Sequence, residues 1–345
     1  MRGWPTAGQA AGRAARYGRG TLGVTVTLLA LLLPASGSGA SASNESAARG
    51  RVRNGRIAFA VDAARVGLGL NIGGTLDLDL FTVGPSGEGI TQLTEGPTDD
   101  DWPQWSPDVR RVLFTRRSAR LPGTDGGGGP QDIYVIDASG GEPTNLTNTP
   151  LDSETDGAWS PDGTRIVFAS DRNQMLPRPL QGTELFLMDA DGGNVVQLTQ
   201  GADHYGPAWS PDGQEIAYVD NSSFIRLVRP DGVDLDPIPV GSSVPREPSW
   251  SPDGRRLAFH DEDVGDIWVV NRDGSGLLNL TLAHDGGTEL SPAWSPDGKW
   301  IAFLNTLPAP RGTTLSKVRP DGSHIREIVD LQLPAEERID WGPRR

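Results

Sequence analysis

Trp159-Ser-Pro-Asp-Gly163, followed by the apolar run Ile166-Val-Phe168, decides how the whole chain is read, because the unit recurs. A tryptophan ahead of Ser-Pro-Asp stands at Trp105, Trp159, Trp209, Trp250 and Trp294, with spacings of 54, 50, 41 and 44 residues. Later copies carry the same kind of apolar run: Ile216-Ala-Tyr218, Leu257-Ala-Phe259 and Ile301-Ala-Phe303. Self-similarity at this period marks a repeat architecture. The Ser-Pro-Asp-Gly step is turn chemistry: serine accepts a local hydrogen bond, proline presets φ, aspartate tolerates the third position and glycine takes a position that often needs positive φ. Each unit therefore predicts a β-hairpin. The first copy has Val109 where the others have glycine, so its turn is expected to be distorted.

Outward from the hairpins, a third strand is predicted at 132–137, 184–189, 224–229, 266–271 and 314–319. Each is closed by a tight turn: Ser139-Gly-Gly141, Asp191-Gly-Gly193, Pro230-Asp-Gly232, Asp273-Gly274 and Pro320-Asp-Gly322. A fourth strand then ends in Leu-Thr at 146–147, 198–199 and 280–281. Four antiparallel strands per repeat make a propeller blade. The chain ends complete the count. Three strands, 56–61, 79–83 and 90–94, precede the first unit without an inner partner, and one inner strand around Trp341 follows the last. Joined, they form a sixth blade and leave no open sheet edge. The predicted fold is all-β: a six-bladed β-propeller over 55–345, closed one-plus-three by a C-terminal inner strand.

These repeats resemble the TolB-type β-propeller repeat, in which Trp-Ser-Pro-Asp-Gly precedes Ile-Ala-Phe and a strand ending in a Gly-Gly turn. The resemblance covers roughly 290 residues and is specific. It implies a six-bladed propeller in an exported protein that binds other proteins. TolB itself carries an α/β domain ahead of its propeller, and only residues 41–54 occupy that place here. The related propellers of prolyl-oligopeptidase-type peptidases precede a hydrolase domain, which is not seen here either.

Glycine (45) and proline (28) are abundant among the 345 residues, which argues against a mostly helical protein. There is no cysteine, which excludes disulfides, thiolate metal sites and a cysteine nucleophile. A formal charge of −14 sets nucleic-acid and membrane-surface roles aside. Residues 1–40 read as a signal peptide: Arg2, Arg13, Arg16 and Arg19 without an acid, an apolar run over 21–33, then small residues up to a cleavage site after Ala40. Left uncleaved, the segment would be an anchor, although thirteen residues are short for a spanning helix. Cleavage would move the formal charge from −14 to −18. Residues 41–54 read as a flexible linker.

Strand alternation sends the long loops 62–75, 116–131 and 171–183 to the same face as the blade-to-blade loops, and long loops on a rigid scaffold are where binding resides. The blade-to-blade loops hold fourteen acids against two bases. The resulting candidates for partner or cation binding are Asp99, Asp100, Asp101, Asp152, Glu154, Asp156, Asp203, His204, Glu247, His284, Asp285, Glu289, Glu336 and Glu337. Such a field would attract a basic partner, or a hydrated Ca²⁺ or Mg²⁺ in the channel mouth. Solvated surface acids are the plainer alternative. Trp105, Trp159, Trp209, Trp250, Trp294 and Trp341 are expected to pack between blades rather than stack a ligand. No serine-nucleophile elbow, zinc-protease or phosphate-loop pattern occurs, and no catalytic residue is assigned. The expectation is an exported (periplasmic, cell-envelope or extracellular), monomeric, non-catalytic scaffold. It would bind a protein partner, with no cofactor and with membrane contact only through an uncleaved N-terminal segment. The alternative is a metal-dependent hydrolase or lyase built around His204 and His284.

Overall fold

The computed structural model describes residues 54–62, 78–118, 129–172, 182–201, 203–241, 244–282, 286–308, 312–333 and 338–343. They form six four-stranded antiparallel sheets. Blades 1 to 5 begin with the inner strands Asp100–Trp105, Glu154–Trp159, Tyr205–Trp209, Pro245–Trp250 and Thr288–Trp294. Blade 6 is built from both chain ends in the order Ile339–Pro343, Asn54–Asp62, Leu78–Val83, Thr91–Gln92, which is the one-plus-three closure.

The Ser-Pro-Asp-Gly turns owe their shape to one aspartate oxygen. In all five copies the serine hydroxyl donates to Asp Oδ1 at 2.6–2.8 Å, and the same oxygen accepts the backbone N–H two residues on. The serine Oγ in turn accepts the N–H five residues on, at 2.9–3.0 Å, which opens the second strand. These donors hold the Asp162 carboxyl down to about 2, led by the Ser160 hydroxyl.

The turn of the first copy is not distorted. Val109 donates its N–H to the Ser106 carbonyl as the glycines do, and takes φ 52° beside 68–71° for Gly163, Gly213, Gly254 and Gly298. Tertiary pairing has imposed the turn on a β-branched residue that disfavours it. Val109→Gly is therefore expected to raise stability by about 1 kcal/mol. Urea unfolding of the two proteins checks it.

The core is divided among the blade interfaces, with one apolar cluster at each of the six. The second strands supply its largest members: Phe59, Phe114, Phe168, Phe259 and Phe303 are at most 1% exposed. The fourth strands stop short of the predicted Leu-Thr pairs, at Thr144–Asn145, Val196–Gln197 and Leu278–Asn279. The threonine caps instead: Thr94, Thr147, Thr199 and Thr281 Oγ1 each accept the N–H of Leu80, Ile133, Leu185 and Ile267 at 2.9–3.1 Å. Blades 3 and 5 lack the pair and have longer outer strands, Asp234–Pro239 and Arg326–Leu333.

Candidate functional site: a closed central channel

Each inner strand of blades 1 to 5 breaks register with its neighbour just ahead of the tryptophan, between Asp101/Gln104, Thr155/Ala158, Tyr205/Ala208, Arg246/Ser249 and Leu290/Ala293. Inside each break, three residues before the tryptophan, the backbone has positive φ: Trp102 (52°), Asp156 (59°), Gly206 (63°), Glu247 (51°) and Ser291 (57°). A bulge re-aims the side chain it carries. With Arg338, the equivalent position before Trp341, these residues form a ring around the channel.

The ring is one bonded network. The Arg338 guanidinium crosses to blade 4, where Nε meets Glu247 Oε1 at 2.9 Å, and to blade 2, where Nη1 lies 3.4 Å from Asp156 Oδ1. Its plane lies over the Trp102 ring, 5.4 Å from the centroid. Gly206 makes room: a Cβ there would stand 3.1 Å from Arg338 Nη2. The Gly206 N–H donates to Asp156 Oδ2 at 2.8 Å, Ser291 Oγ donates to Glu247 Oε2 at 2.8 Å, and His260 Nδ1 lies 3.4 Å from that oxygen. Burial pushes both carboxyls up. At Glu247 the Arg338 charge, His260 and Ser291 overcome it and hold the group well below the usual range. At Asp156 burial wins. The cation held in this acidic channel is the protein's own arginine.

A cavity of about 240 Å³ extends from the ring to Pro161 and Pro211 of the Ser-Pro-Asp-Gly turns. Its walls are Pro103, Pro207, Pro248 and Pro292, with the edges of Trp159, Trp209, Trp250 and Trp294. Gln104, Ser249 and Asp340 also line it, and more of its surface is polar than apolar.

The acids singled out in the sequence are mostly engaged already. Asp100, Glu154, His204 and Glu289, at the start of the inner strands, are 0–8% exposed. Asp100 takes a bidentate pair from Arg116 at 2.6 and 2.7 Å. Glu154 accepts from Ser170 and Thr149 and lies 3.3 Å from Arg172. His204 Nδ1 meets Glu184 Oε2 and Thr199 Oγ1, both at 2.9 Å. Glu289 accepts from Thr281 at 3.2 Å. Asp99 pairs with Arg117 at 3.4 Å. Burial raises the Asp101 carboxyl to about 7, and its Oδ1 has no hydrogen-bond partner. Asp152 is half-buried and Asp203 exposed. His284, Asp285, Glu336 and Glu337 lie outside the described residues, as does most of the three long loops. Among the described residues no three His, Asp or Glu side chains converge as metal ligands.

Four residues of the ring escaped the sequence reading: Trp102, Gly206, Ser291 and Arg338. Only their place three residues before a repeat tryptophan could have flagged them.

The repeat tryptophans are buried in the clusters between blades, at 3–8% exposure. Trp209, Trp250 and Trp341 donate their indole N–H to the Ala158, Ala208 and Gly55 carbonyls of the adjoining strand. Arg111, Arg165 and Arg256 cover Trp159, Trp209 and Trp294, 4.7–5.2 Å from their centroids. At the closure, Asp340 Oδ2 accepts the Trp105 N–H at 2.8 Å. Burial pushes that carboxyl up to about 6 against the pull of the N–H. The folded state thus binds more protons than the unfolded one between pH 3.8 and about 6, and stability falls as pH rises through that window. Asp340→Asn, which keeps the acceptor, is expected to match the parent at pH 4 and exceed it by about 2 kcal/mol at pH 8. Denaturant unfolding across pH checks the difference.

Comparison with known proteins agrees with this architecture. The family described as TolB beta propeller domain matches residues 177–308. An uncharacterized protein of Agrobacterium fabrum is 33% identical over 138 residues, which is 37% of this chain and 42% of the relative. An uncharacterized peptidase of Bacillus subtilis is 26% identical over 163 residues, 39% of this chain and 23% of the relative. The matches thus span less than half of these relatives' own length. In three dimensions, the crystal structure of TolB from Acinetobacter baumannii superposes with a TM-score of 0.62 at 20% identity, over 84% of this chain and 67% of that one. By its repeats and its ring of six blades the chain is a six-bladed β-propeller, similar in fold to TolB and matching the TolB beta propeller domain over its central part.

Proposed function

We propose that the chain is an exported binding module that holds another envelope or extracellular protein and carries out no chemistry of its own. The observation that carries this reading is the closed channel. Five bulges in register aim the ring inward at the strain of four non-glycine residues with positive φ, including a tryptophan, and such strain concentrates at functional sites. What the ring leaves is a socket of proline and tryptophan walls with polar groups and a charged floor, suited to a short extended segment of a partner that offers hydrogen-bonding groups. The long-loop face contributes through the exposed Asp203, which steers a basic partner toward the molecule.

Site-specific photo-crosslinking in the native envelope fraction tests both surfaces. A crosslinker at Ser249 reports on the socket, one at Asp203 on the acidic face, and one at the exposed Val196 on the outer strand of blade 2 serves as control. One discrete protein adduct from Ser249 or Asp203, absent from Val196, is the expected result. Adducts of equal yield at all three positions, or at none, would overturn the reading. The Asp99, Asp100 and Asp101 to Lys variant is not a clean probe, because Asp100 and Asp101 are buried.

A further inference from the structure

Blade 3 departs from the other five at one point of its sheet. Two residues beyond the position paired with the repeat tryptophan, the second strands of the others carry Phe59, Phe114, Phe168, Phe259 and Phe303. Blade 3 carries Tyr218. Directly opposite on the third strand, four blades place a second aromatic, Phe81, Tyr134, Phe186 or Trp268, and blade 3 places Arg226. In blades 1 and 2 an arginine, Arg116 or Arg172, lies over the paired rings. Over Tyr218 lies His204 instead, edge-on, with the ring centroids 5.1 Å apart.

A cavity of about 480 Å³ occupies this place, bordered by Thr199 at the outer end of blade 2 and by Tyr218, Asp220, Arg226 and Asp234 of blade 3, with His204 between them. Leu198, Leu227 and Leu235 supply the smaller, apolar share of its wall. Its polar groups are fixed in place but not used up. Tyr218 is 5% exposed, yet among the described residues its hydroxyl has no hydrogen-bond partner. Burial, with the charge of Asp234 behind it, pushes that hydroxyl up to about 12, so it stays a protonated donor. His204 Nδ1 lies 2.9 Å from Glu184 Oε2. A carboxylate only accepts, so the proton sits on Nδ1, and in the neutral ring Nε2 is an acceptor. Arg226 is oriented by Asp220, Nε to Oδ2 at 2.7 Å, and Ser222 donates to the other oxygen of that carboxylate. Asp234, on the outer strand, stands exposed at the rim.

These groups decide what fits. Asp220 neutralises Arg226, which leaves Asp234 and the Glu184 carboxylate behind His204 in excess, so a phosphate or carboxylate is repelled. A cation would meet the Arg226 guanidinium on the same wall, and an apolar ligand would bury polar groups without partners. Hydroxyl groups, which both donate and accept, match donors and acceptors set side by side. We propose that the cavity between blades 2 and 3 is a carbohydrate site for one neutral pyranose unit, Tyr218 and Arg226 donating to sugar oxygens and His204 and Asp234 accepting from sugar hydroxyls. Its volume lies within the range of small-molecule pockets, about 300–1,000 Å³. The site shares no lining residue with the channel socket and does not depend on a partner there.

The test is saturation-transfer NMR of the full chain with the methyl glycosides of glucose, galactose, mannose and N-acetylglucosamine, alongside putrescine and inorganic phosphate as cationic and anionic probes. At least one glycoside is expected to receive saturation, and titration of that signal should give a Kd about tenfold higher in Tyr218→Phe. Five blades fold with phenylalanine at this position, and the hydroxyl removed has no partner in the protein. Tyr218→Phe should therefore unfold at the parent's urea midpoint, which separates a lost contact from a lost fold. Tyr134→Phe, in the sheet of blade 1, should bind as the parent does. The proposal is overturned if none of the four glycosides binds, if Tyr218→Phe keeps the parent's affinity, or if Tyr134→Phe weakens binding equally. Binding of putrescine or phosphate in place of the glycosides also overturns it and assigns the cavity to an ion.

Discussion

Replacing Arg338 with methionine is expected to lower the unfolding free energy by about 3–5 kcal/mol, because it leaves two buried carboxylates facing each other without a counter-charge. The guanidinium satisfies Glu247 at 2.9 Å and Asp156 at 3.4 Å and lies over Trp102, so blades 1, 2 and 4 lose a contact with blade 6 at once. The substitution keeps the apolar stem as far as the position of Nε, and what it removes is the guanidinium with its charge and its contact with Trp102. Two consequences separate this from general damage. With the guanidinium gone, both carboxyls sit above their unfolded values, so the folded state takes up protons and the deficit should shrink as pH falls. Adding Asp156→Asn and Glu247→Gln should recover part of the loss at neutral pH, a coupling expected only for groups in one network. Urea unfolding of the three proteins at pH 5 and 8 reads both effects. A loss that stays the same at both pH values would mean that Arg338 acts by packing.

Gly342→Val should cost about 3 kcal/mol by a different route. A Cβ at Gly342 would lie 2.7 Å from Cγ and 2.8 Å from Cδ1 of Trp105, closer than real contacts allow. Trp105 has nowhere to go: it is 8% exposed, and its N–H is held by Asp340 on the same closing strand. The clash therefore pries the last strand from the first blade, and closure is what removes the sheet edges of the ring. Gly157→Ala makes the informative comparison. Its Cβ would also meet an atom at 2.7 Å, but that atom is a methyl of Leu113, whose side chain can turn aside. The alanine variant should lose clearly less, about 1 kcal/mol. Thermal unfolding of both checks the ranking. Equal losses would show that rigidity at the closure is not what matters.

The repeat was legible because its signals are local. Ser106 and Asp108, or Ser251 and Asp253, are two residues apart and make the same turn wherever they occur. A tryptophan ahead of each turn was enough to number the blades, and the unmatched strands at the two ends were enough to close the ring. Even the turn at Val109, expected to be distorted, followed the repeat, since pairing of the flanking strands outweighs the preference of one residue. The candidate site was less legible. Asp100 and Glu154 looked like free acids when counted loop by loop, yet their partners Arg116 and Arg172 come from the second strand or the loop after it, 16 and 18 residues away.

The sequence alone determined the six blades, their four strands and the one-plus-three closure, because turn chemistry and strand alternation act over a few residues and repeat with the period. Tertiary structure decided which charges remain available. Arg338 meets Asp156 and Glu247 only when the ring closes, bulges turn five side chains toward the channel, and strand register sets Arg226 beside Tyr218 in the cavity between blades 2 and 3. A charge's effect depends on what lies within a few ångströms of it, and in a closed ring those neighbours come from distant parts of the chain.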